Sequence, residues 1–354
     1  MKTATLYEQW SSLKETQPQL RILDAANQLG VSEGEIVASR VGIDTIKLLP
    51  EWGLLMPAIE SFGQIMALTR NEYCVHERKG AYIDTAIGED NKVGLIVSPD
   101  IDLRFLMSNW GSVFAVVDKV PEKIVKDGIL RSIQIFDKQG VAVHKVYLIE
   151  GSNIEAWTPF IDRFKDPEQS QTLQLEPKPL SEPTIADQQL DVEAFRKSWA
   201  ELKDTHHFVP MLKDYKLGRV QALKLIGKEW AESLAIDLLP EVFEKASKLK
   251  QKIMVFVGND NCVQIHTGLV ENLKWVNGWF NVLDPLFDLH LKMEGVAELW
   301  RVRRPTTEGI VTSIEAYDAS GSIILQLFGP RRPGIPERKG WRELAESFPS
   351  LEDK

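Results

Sequence analysis

Two adjacent histidines, His206 and His207, are the residues of this 354-residue chain best suited by type and placement to hold a metal. They stand in Lys-Asp-Thr-His-His-Phe-Val-Pro-Met-Leu, residues 203 to 212. Asp204 or Thr205 would cap a helix there, and Phe208, Val209 and Leu212 would begin its apolar face. An imidazole in a first helical turn feels the positive end of the helix dipole. This disfavours the protonated ring and keeps a nitrogen lone pair available. The same residues also suit a bland role as surface or capping histidines. His76, His144, His266 and His290 stand singly, and no His-x-His, His-Glu-x-x-His or Cys-x-x-Cys spacing occurs, so a locally built zinc centre is not indicated. A metal that brings its own ligands fits better. Haem asks the protein for one or two ligands on iron, cations for its propionates and an apolar slot.

Arginines in the same half of the sequence could supply the cations. Arg219 follows them, Arg303 and Arg304 precede Pro305-Thr306, and Arg331-Arg332 follow Phe328-Gly-Pro. Guanidinium forks match carboxylates with two parallel hydrogen bonds, although charges at turns are as readily explained as solvated. Met254 and Phe256 alternate onto one face of Ile253-Met-Val-Phe256, where they could line a slot or simply pack in a core. Arg104 lies in Ile-Asp-Leu-Arg-Phe-Leu, with Ile101, Leu103 and Phe105 on one strand face and Asp102, Arg104 and Leu106 on the other. An arginine does not lose its proton to ligate a metal, but it can donate to water, hydroxide or dioxygen on iron. Its alternative is a partner for Asp102 or an exposed charge.

These residues must be positioned by a scaffold that is written twice. Trp10-Ser-Ser-Leu-Lys-Glu-Thr16 returns as Trp199-Ala-Glu-Leu-Lys-Asp-Thr205, and Leu29-Gly30 as Leu217-Gly218. Residues 65–80 align without gaps to residues 253–268, placing Cys74 on Cys262. Asp102-Leu-Arg104 meets Asp288-Leu-His290, and Ser132–Gly140 meets Ser313–Gly321. The copies differ where the candidate ligands stand, because Gln17-Pro18 occupy the positions of His206-His207. One site for the pair of copies follows.

Each copy opens with helical spacing (Leu6, Trp10, Leu13; Phe195, Trp199, Leu202) and then turns to strands. Asp137-Lys-Gln-Gly140 and Asp318-Ala-Ser-Gly321 are hairpin connections closed by glycine, which favours antiparallel pairing. We expect an α+β fold with an internal duplication, two similar halves each with a large antiparallel sheet and flanking helices. The boundaries read 1–165 for the first repeat, 166–190 for a linker rich in proline (Pro167, Pro177, Pro179, Pro183), and 191–354 for the second repeat. Residues 23–36 have helix-turn-helix spacing with Gly30 at the turn and Ser32 as a cap. Glu33 and Glu35 would face the phosphates, so a DNA reader is not favoured.

The composition is that of an ordinary globular protein, 44% hydrophobic and 26% charged. A net charge of -9 argues against broad binding to nucleic acid or anionic membranes. The start of the chain lacks signal-peptide character and no segment has the length of an apolar membrane span, so a cytoplasmic protein without membrane insertion is expected. Two cysteines at equivalent repeat positions would be buried, reduced thiols in different domains. Walker A and Gly-x-Gly-x-x-Gly loops are absent.

Taken together, Trp-x-x-Leu-x-Asp-x-His-x-Phe from 199, the Met254–Asn259 strand, Gly-Trp-Phe-Asn at 278–281 and Arg-x-Pro-Thr around 304 resemble a known family. It is that of the cytoplasmic haemin-degrading and haem-trafficking proteins of Gram-negative bacteria, of the HemS, ChuS and PhuS type. The resemblance covers nearly the whole chain, repeat included. It implies haem b as substrate or cargo, with His206 as the axial ligand on iron and Arg104, from the first half, opposite it. It carries propionate and pocket roles to Arg219, Arg304, Arg331, Met254, Phe256, Gln326 and Phe328, and leaves His207 as an alternative ligand. Arg304 and Phe328 stand where some relatives have lysine and tyrosine. The implied activity is oxidative cleavage of haem with release of iron, His206 and Arg104 being the catalytic pair and a reductant coming from an NAD(P)H-dependent reductase or ascorbate. The competing role is a carrier that passes intact haem to a separate haem oxygenase. A haem ABC transporter is a further implied partner, and a haem-responsive DNA-binding regulator is the third role.

Overall fold

The computed structural model describes residues 4–122, 125–179, 183–331 and 334–351. They form two compact units. The first comprises Met1–Arg70, Glu77–Pro179 and Asn259–Gln264; the second comprises Asn71–His76, Leu180–Gly258 and Ile265–Lys354. Each unit thus contains a short segment from the other half of the sequence.

In the first unit five antiparallel strands lie in the order Thr45–Leu48, Trp110–Lys119, Ile129–Asp137, Ala142–Ser152 and Gly63–Arg70. Asp137 and Gly140 close the expected hairpin, with Gly140 at φ 76°. One face packs Phe114, Val116 and Phe136 against Val37, Ala38 and Val41 of the helical layer. The other buries Ile65, Ile133, Ile135 and Val146 with Phe62, Phe160 and Phe164. Each fully buried phenylalanine contributes about 2 kcal/mol by removal of apolar surface from water. Strands Ala86–Ile87, Val93–Val97 and Asp102–Leu106, paired antiparallel in that order, also belong to the unit.

The segment 23–36 does form two helices, Ile22–Leu29 and Glu33–Ser39, joined at Gly30 in the left-handed region with φ 67°. Ser32 caps the second through a reciprocal pair with Glu35. That helix is buried at Glu33, Gly34, Ile36, Val37, Ala38 and Ser39, so it has no free face to lay in a DNA groove. The spacing marks a packing element of the first unit. Glu33 is instead held in the interior by Arg70 and Lys145.

The second unit repeats the plan. Its five strands lie in the order Ala231–Leu234, Glu298–Thr306, Gly309–Tyr317, Ile323–Phe328 and Ile253–Asn259. Strands Leu273–Val276, Trp279–Leu283 and Phe287–Lys292, paired antiparallel in that order, also belong to it. Helices Leu238–Lys248 and Lys339–Glu346 cover one face of the large sheet through Phe243, Trp341 and Leu344. Helices Val192–Ala200, Phe208–Asp214 and Arg219–Ile226 cover the other through Trp199, Phe208 and Leu223. The α+β, duplicated and antiparallel architecture is that expected from the sequence.

The first part of the proline-rich stretch is strapped down. Gln169 bonds both backbone groups of Lys47, Gln171 donates to Val41 O, and Leu173 packs on the first unit's core. Residues 180–182 of that stretch lie outside the described residues. Cys74 is buried in the core of the second unit and Cys262 in that of the first, both as free thiols.

Candidate functional site

The histidine pair sits on a single 3-10 turn, Thr205–His207, that leads directly into helix Phe208–Asp214. Asp204 is the cap, accepting from His206 N at 2.8 Å. The same carboxylate oxygen lies 2.6 Å from His206 Nδ1. A carboxylate can only accept, so Nδ1 carries the hydrogen and the lone pair resides on Nε2. His206 Nε2 has no hydrogen-bond partner among the described residues, and the side chain is 90% exposed. The bond to the His206 backbone is the first cause that lowers the carboxyl of Asp204, with the His206 side chain adding to it. His207 is exposed beside it.

Behind the turn, Phe208 is buried and anchors it. Its ring packs edge-on to Trp199 at 5.1 Å, with the guanidinium of Arg304 at 4.1 Å and that of Arg219 at 5.5 Å. Trp199 is itself fixed by donating from Nε1 to Arg303 O. These contacts explain why an aromatic residue must follow the histidines. Phe208 ties the turn to the sheet, partly through cation–π attraction.

Pairing register then collects most of the remaining candidates on the sheet face that bears Trp300 and Val302. Val302 pairs with Ser313 and Trp300 with Glu315; Ser313 pairs with Phe328 and Glu315 with Gln326; Phe328 pairs with Met254 and Gln326 with Phe256. Partners across an antiparallel pair share a face, and Arg304 lies two residues beyond Val302 on that same face. Met254, Phe256, Arg304, Gln326 and Phe328 are therefore neighbours on one surface. Phe256 and Phe328 meet edge-on at 5.0 Å. Met254, Phe256 and Phe328 lie outside both core clusters of the unit, although Phe328 is nearly covered. The sheet thus carries an apolar strip that its own core does not use.

Arg304 is not a free cation. It is 3% exposed and bonds Glu315 through both terminal nitrogens, at 2.6 and 3.3 Å, and Ser313 at 3.1 Å. Burial pushes the Glu315 carboxyl up, but the charge and hydrogen bonds of Arg304, with those of Ser313 and Tyr317, outweigh it and leave the group at about 2. Arg303, one residue earlier, faces the opposite side and binds Glu232 and Glu346. Sequence reasoning passed over Glu315 because a strand of the pattern Ser-Ile-Glu-Ala-Tyr reads as ordinary. The usable signal was the need of a buried arginine for a counter-charge.

Arg219 heads its helix, partly exposed. Arg331 follows Pro330 and lines a cavity with Lys252, Thr267, Ile335 and Arg338. Arg332 lies outside the described residues. The structure therefore gathers the histidine turn, Arg219, Arg304, Met254, Phe256, Gln326 and Phe328 in the second unit, with Arg331 at the cavity.

Arg104 belongs to the first unit, on strand Asp102–Leu106, which pairs with Val93–Val97. Ile101, Leu103 and Phe105 are buried, as their alternation implied. The other face carries Val93, Leu95, Val97 and Leu106, which are 41–63% exposed, and Leu95 pairs directly with Arg104. A lone guanidinium in an exposed apolar field is unusual for a surface that meets only water. Arg104 donates to Asp102 and to Leu103 O. Burial keeps the Asp102 carboxyl above its usual range despite that partner.

Among the described residues no group of three or more His, Cys, Asp or Glu side chains could hold a metal ion, and no helix is long and apolar enough to cross a membrane.

The family model described as the haemin-degrading HemS.ChuX domain matches the chain twice, over residues 30–164 and 216–348. The chain is 38% identical to the hemin transport protein HmuS of Yersinia pestis over 341 residues, covering 96% of each. It superposes on holo-PhuS, a heme-binding protein from Pseudomonas aeruginosa, with TM-score 0.95 and 54% identity, covering 98% of this chain and 99% of that one. It superposes on ChuS, an E. coli heme oxygenase, with TM-score 0.87 and 34% identity, covering 98% and 99%.

Proposed function

The chain belongs to the HemS/ChuX haemin-degrading domain family, and from that premise we propose that it binds haem through His206 and degrades it oxidatively. The observation that carries this reading is the His206 imidazole, oriented by Asp204 with Nε2 exposed and unbonded, in the unit whose sheet holds an unclaimed apolar strip. A carboxylate on the far ring nitrogen fixes the tautomer and makes the ligating nitrogen more basic. Arg219 would steer the haem carboxylates at its exposed end, while Phe256, Phe328 and Met254 would take the ring and Gln326 its polar edge. Arg304 supports Phe208 and contributes a charge to the ligand only by leaving Glu315.

Arg104 would donate hydrogen bonds to a small ligand on iron, for which it must release Asp102. Haem supplies the oxidative chemistry; the protein residues bind it, fix its orientation and place donors. Electrons would come from an NAD(P)H-dependent reductase or ascorbate. We place the protein in the cytoplasm, receiving haem from an ABC transporter. Delivery of intact haem to a separate oxygenase is the second reading, favoured by the names of the relatives called hemin transport proteins.

Haemin titration followed in the Soret band tests the assignment. The wild type and Arg104→Ala should bind, and His206→Ala should lose the ligated spectrum. An unchanged spectrum and affinity in His206→Ala would remove His206 as ligand. Addition of ascorbate or a reductase, with catalase present, then separates the two roles. Loss of the tetrapyrrole marks an enzyme, and stoichiometric transfer to an oxygenase without loss marks a carrier.

A further inference from the structure

The two units differ in how they finish the edge of the large sheet. In the first the edge strand is Thr45–Leu48, where Lys47 pairs with Phe114; in the second it is Ala231–Leu234, where Ser233 pairs with Trp300 in the same register. One antiparallel bridge closes the end of each edge, Leu48 to Lys165 and Leu234 to Ser350. Beyond Lys165 the first unit covers its edge with the proline-rich stretch. Asp166 N and Gln169 Nε2 donate to Lys47 O at 3.0 and 2.8 Å, and Lys47 N donates to Gln169 Oε1 at 3.0 Å. Leu173, four residues further on, packs on the cluster that contains Phe114. At the second edge Arg303 N donates to Trp230 O, which sets the ladder so that Ser233 turns its N–H away from the neighbouring strand. That N–H has no hydrogen-bond partner among the described residues. An open edge strand is a template for another chain, and proteins normally cover or charge it.

Beside this edge lies a groove of about 780 Å³, lined by Ser233 itself, by Leu234, Leu299 and Trp300, and by the exposed Ile236 and Leu351. Three charged residues line it as well. Lys224 pairs with Glu298 at 2.7 Å, and Glu298 also accepts from Trp300 Nε1 at 2.9 Å. Asp237 is exposed, its side chain does not cap helix Leu238–Lys248, and it forms no ion pair among the described residues. One lysine against two carboxylates leaves the groove with a negative charge to be met. We propose that the edge of strand Ala231–Leu234 and the groove beside it dock an extended segment of a partner polypeptide. That segment carries an acceptor for Ser233 N–H, an aliphatic residue four positions further on for the groove, and a basic residue for Asp237. In the first unit Gln169 and Leu173 supply the first two, so the duplicated edge states the chemistry that its counterpart takes. Strand addition of this kind draws affinity from main-chain hydrogen bonds and selectivity from side-chain pockets. The inference does not depend on the haem reading.

The probe is the covering stretch itself, an acetylated and amidated peptide of residues 167–175, made with its own sequence and with Glu168→Lys. Each is labelled with a fluorophore and titrated with the full chain, and binding is read by anisotropy. The Glu168→Lys peptide should bind saturably and more tightly than the unchanged one. Ser233→Pro removes the N–H at an edge position where proline is tolerated, and should weaken binding about tenfold, as the loss of one hydrogen bond implies. Ile236→Lys alters an exposed wall of the groove and should weaken it as well, with folding of both variants checked by circular dichroism. Asp237→Asn should remove the preference for the lysine peptide. No saturable binding of that peptide would overturn the proposal. So would wild-type affinity in both Ser233→Pro and Ile236→Lys, which would place the peptide elsewhere on the chain. Self-association of the wild type in sedimentation, lost in Ser233→Pro, would assign the groove to a second copy and overturn a separate partner.

Discussion

Arg304 and Glu315 form a buried two-pronged ion pair, and the ring of Phe208 lies against its guanidinium at 4.1 Å. The pair lies beneath the residue that anchors the histidine turn, so its energetics should be readable in both stability and ligation. Arg304→Met or Glu315→Leu alone should destabilise the protein by about 3–5 kcal/mol, because each strands a buried charge. The double variant should recover most of that loss. Denaturant unfolding monitored in the second unit gives the comparison. Equal destabilisation by the single and double variants would show that the charges do not offset each other.

Asp204→Asn tests the tautomer argument. The amide can turn its NH2 toward Nδ1, which no longer selects the Nε2 lone pair, and haemin affinity should fall by about 10- to 100-fold. His207→Ala should change it by less than about twofold. The reverse ranking in a Soret titration would transfer the ligand role to His207.

The acid limb of stability should have two windows. In the first unit, burial depresses His144 from 6.5 to about 3, its ring nitrogens bonded to Thr69 and Tyr82. Below pH 6.5 the unfolded chain takes up a proton that the folded protein refuses until about pH 3, so this group's contribution to stability falls as pH falls across that interval. In the second unit Glu315 stays ionised down to about 2, against 4.5 unfolded. Its contribution is present above 4.5 and is lost as pH falls toward 2. His144→Gln should flatten only the upper window, as measured by denaturation at stepped pH.

Both thiols should be inert in the native protein. Burial raises Cys262 to about 12, even with Thr69 beside it, and Cys74 higher still. A thiol-directed aromatic disulfide should label neither residue at pH 8 and both after denaturation. Rapid native labelling of either would contradict its burial.

The repeat, the helical openings, the glycine-closed hairpins and the buried face of the Arg104 strand were all legible in the sequence, because each depends on local spacing. What was not legible depended on partners distant in sequence. Arg304 read as a cation open to a ligand because nothing in its neighbourhood announces Glu315 across the strand pair. The helices around Gly30 share helix-turn-helix spacing because that spacing is local, whereas the burial of Glu33 rests on Arg70 and Lys145 far along the chain. Lys252 and Arg338 are 86 residues apart and carried no joint signal until folding set them on one cavity.

The traded segments bear on how the chain is made. Trp110 Nε1 donates to Asn261 O, Asn261 bonds Asp137, and Cys262 fills the first unit's core, so that unit lacks part of its interior until residues 259–264 have been synthesised. Translation from the N-terminus therefore cannot finish the first unit before nearly half of the second has emerged from the ribosome. A gene truncated after the proline-rich stretch should yield a fragment that recruits chaperones or aggregates, and the duplicated halves are inherited as one indivisible folding task.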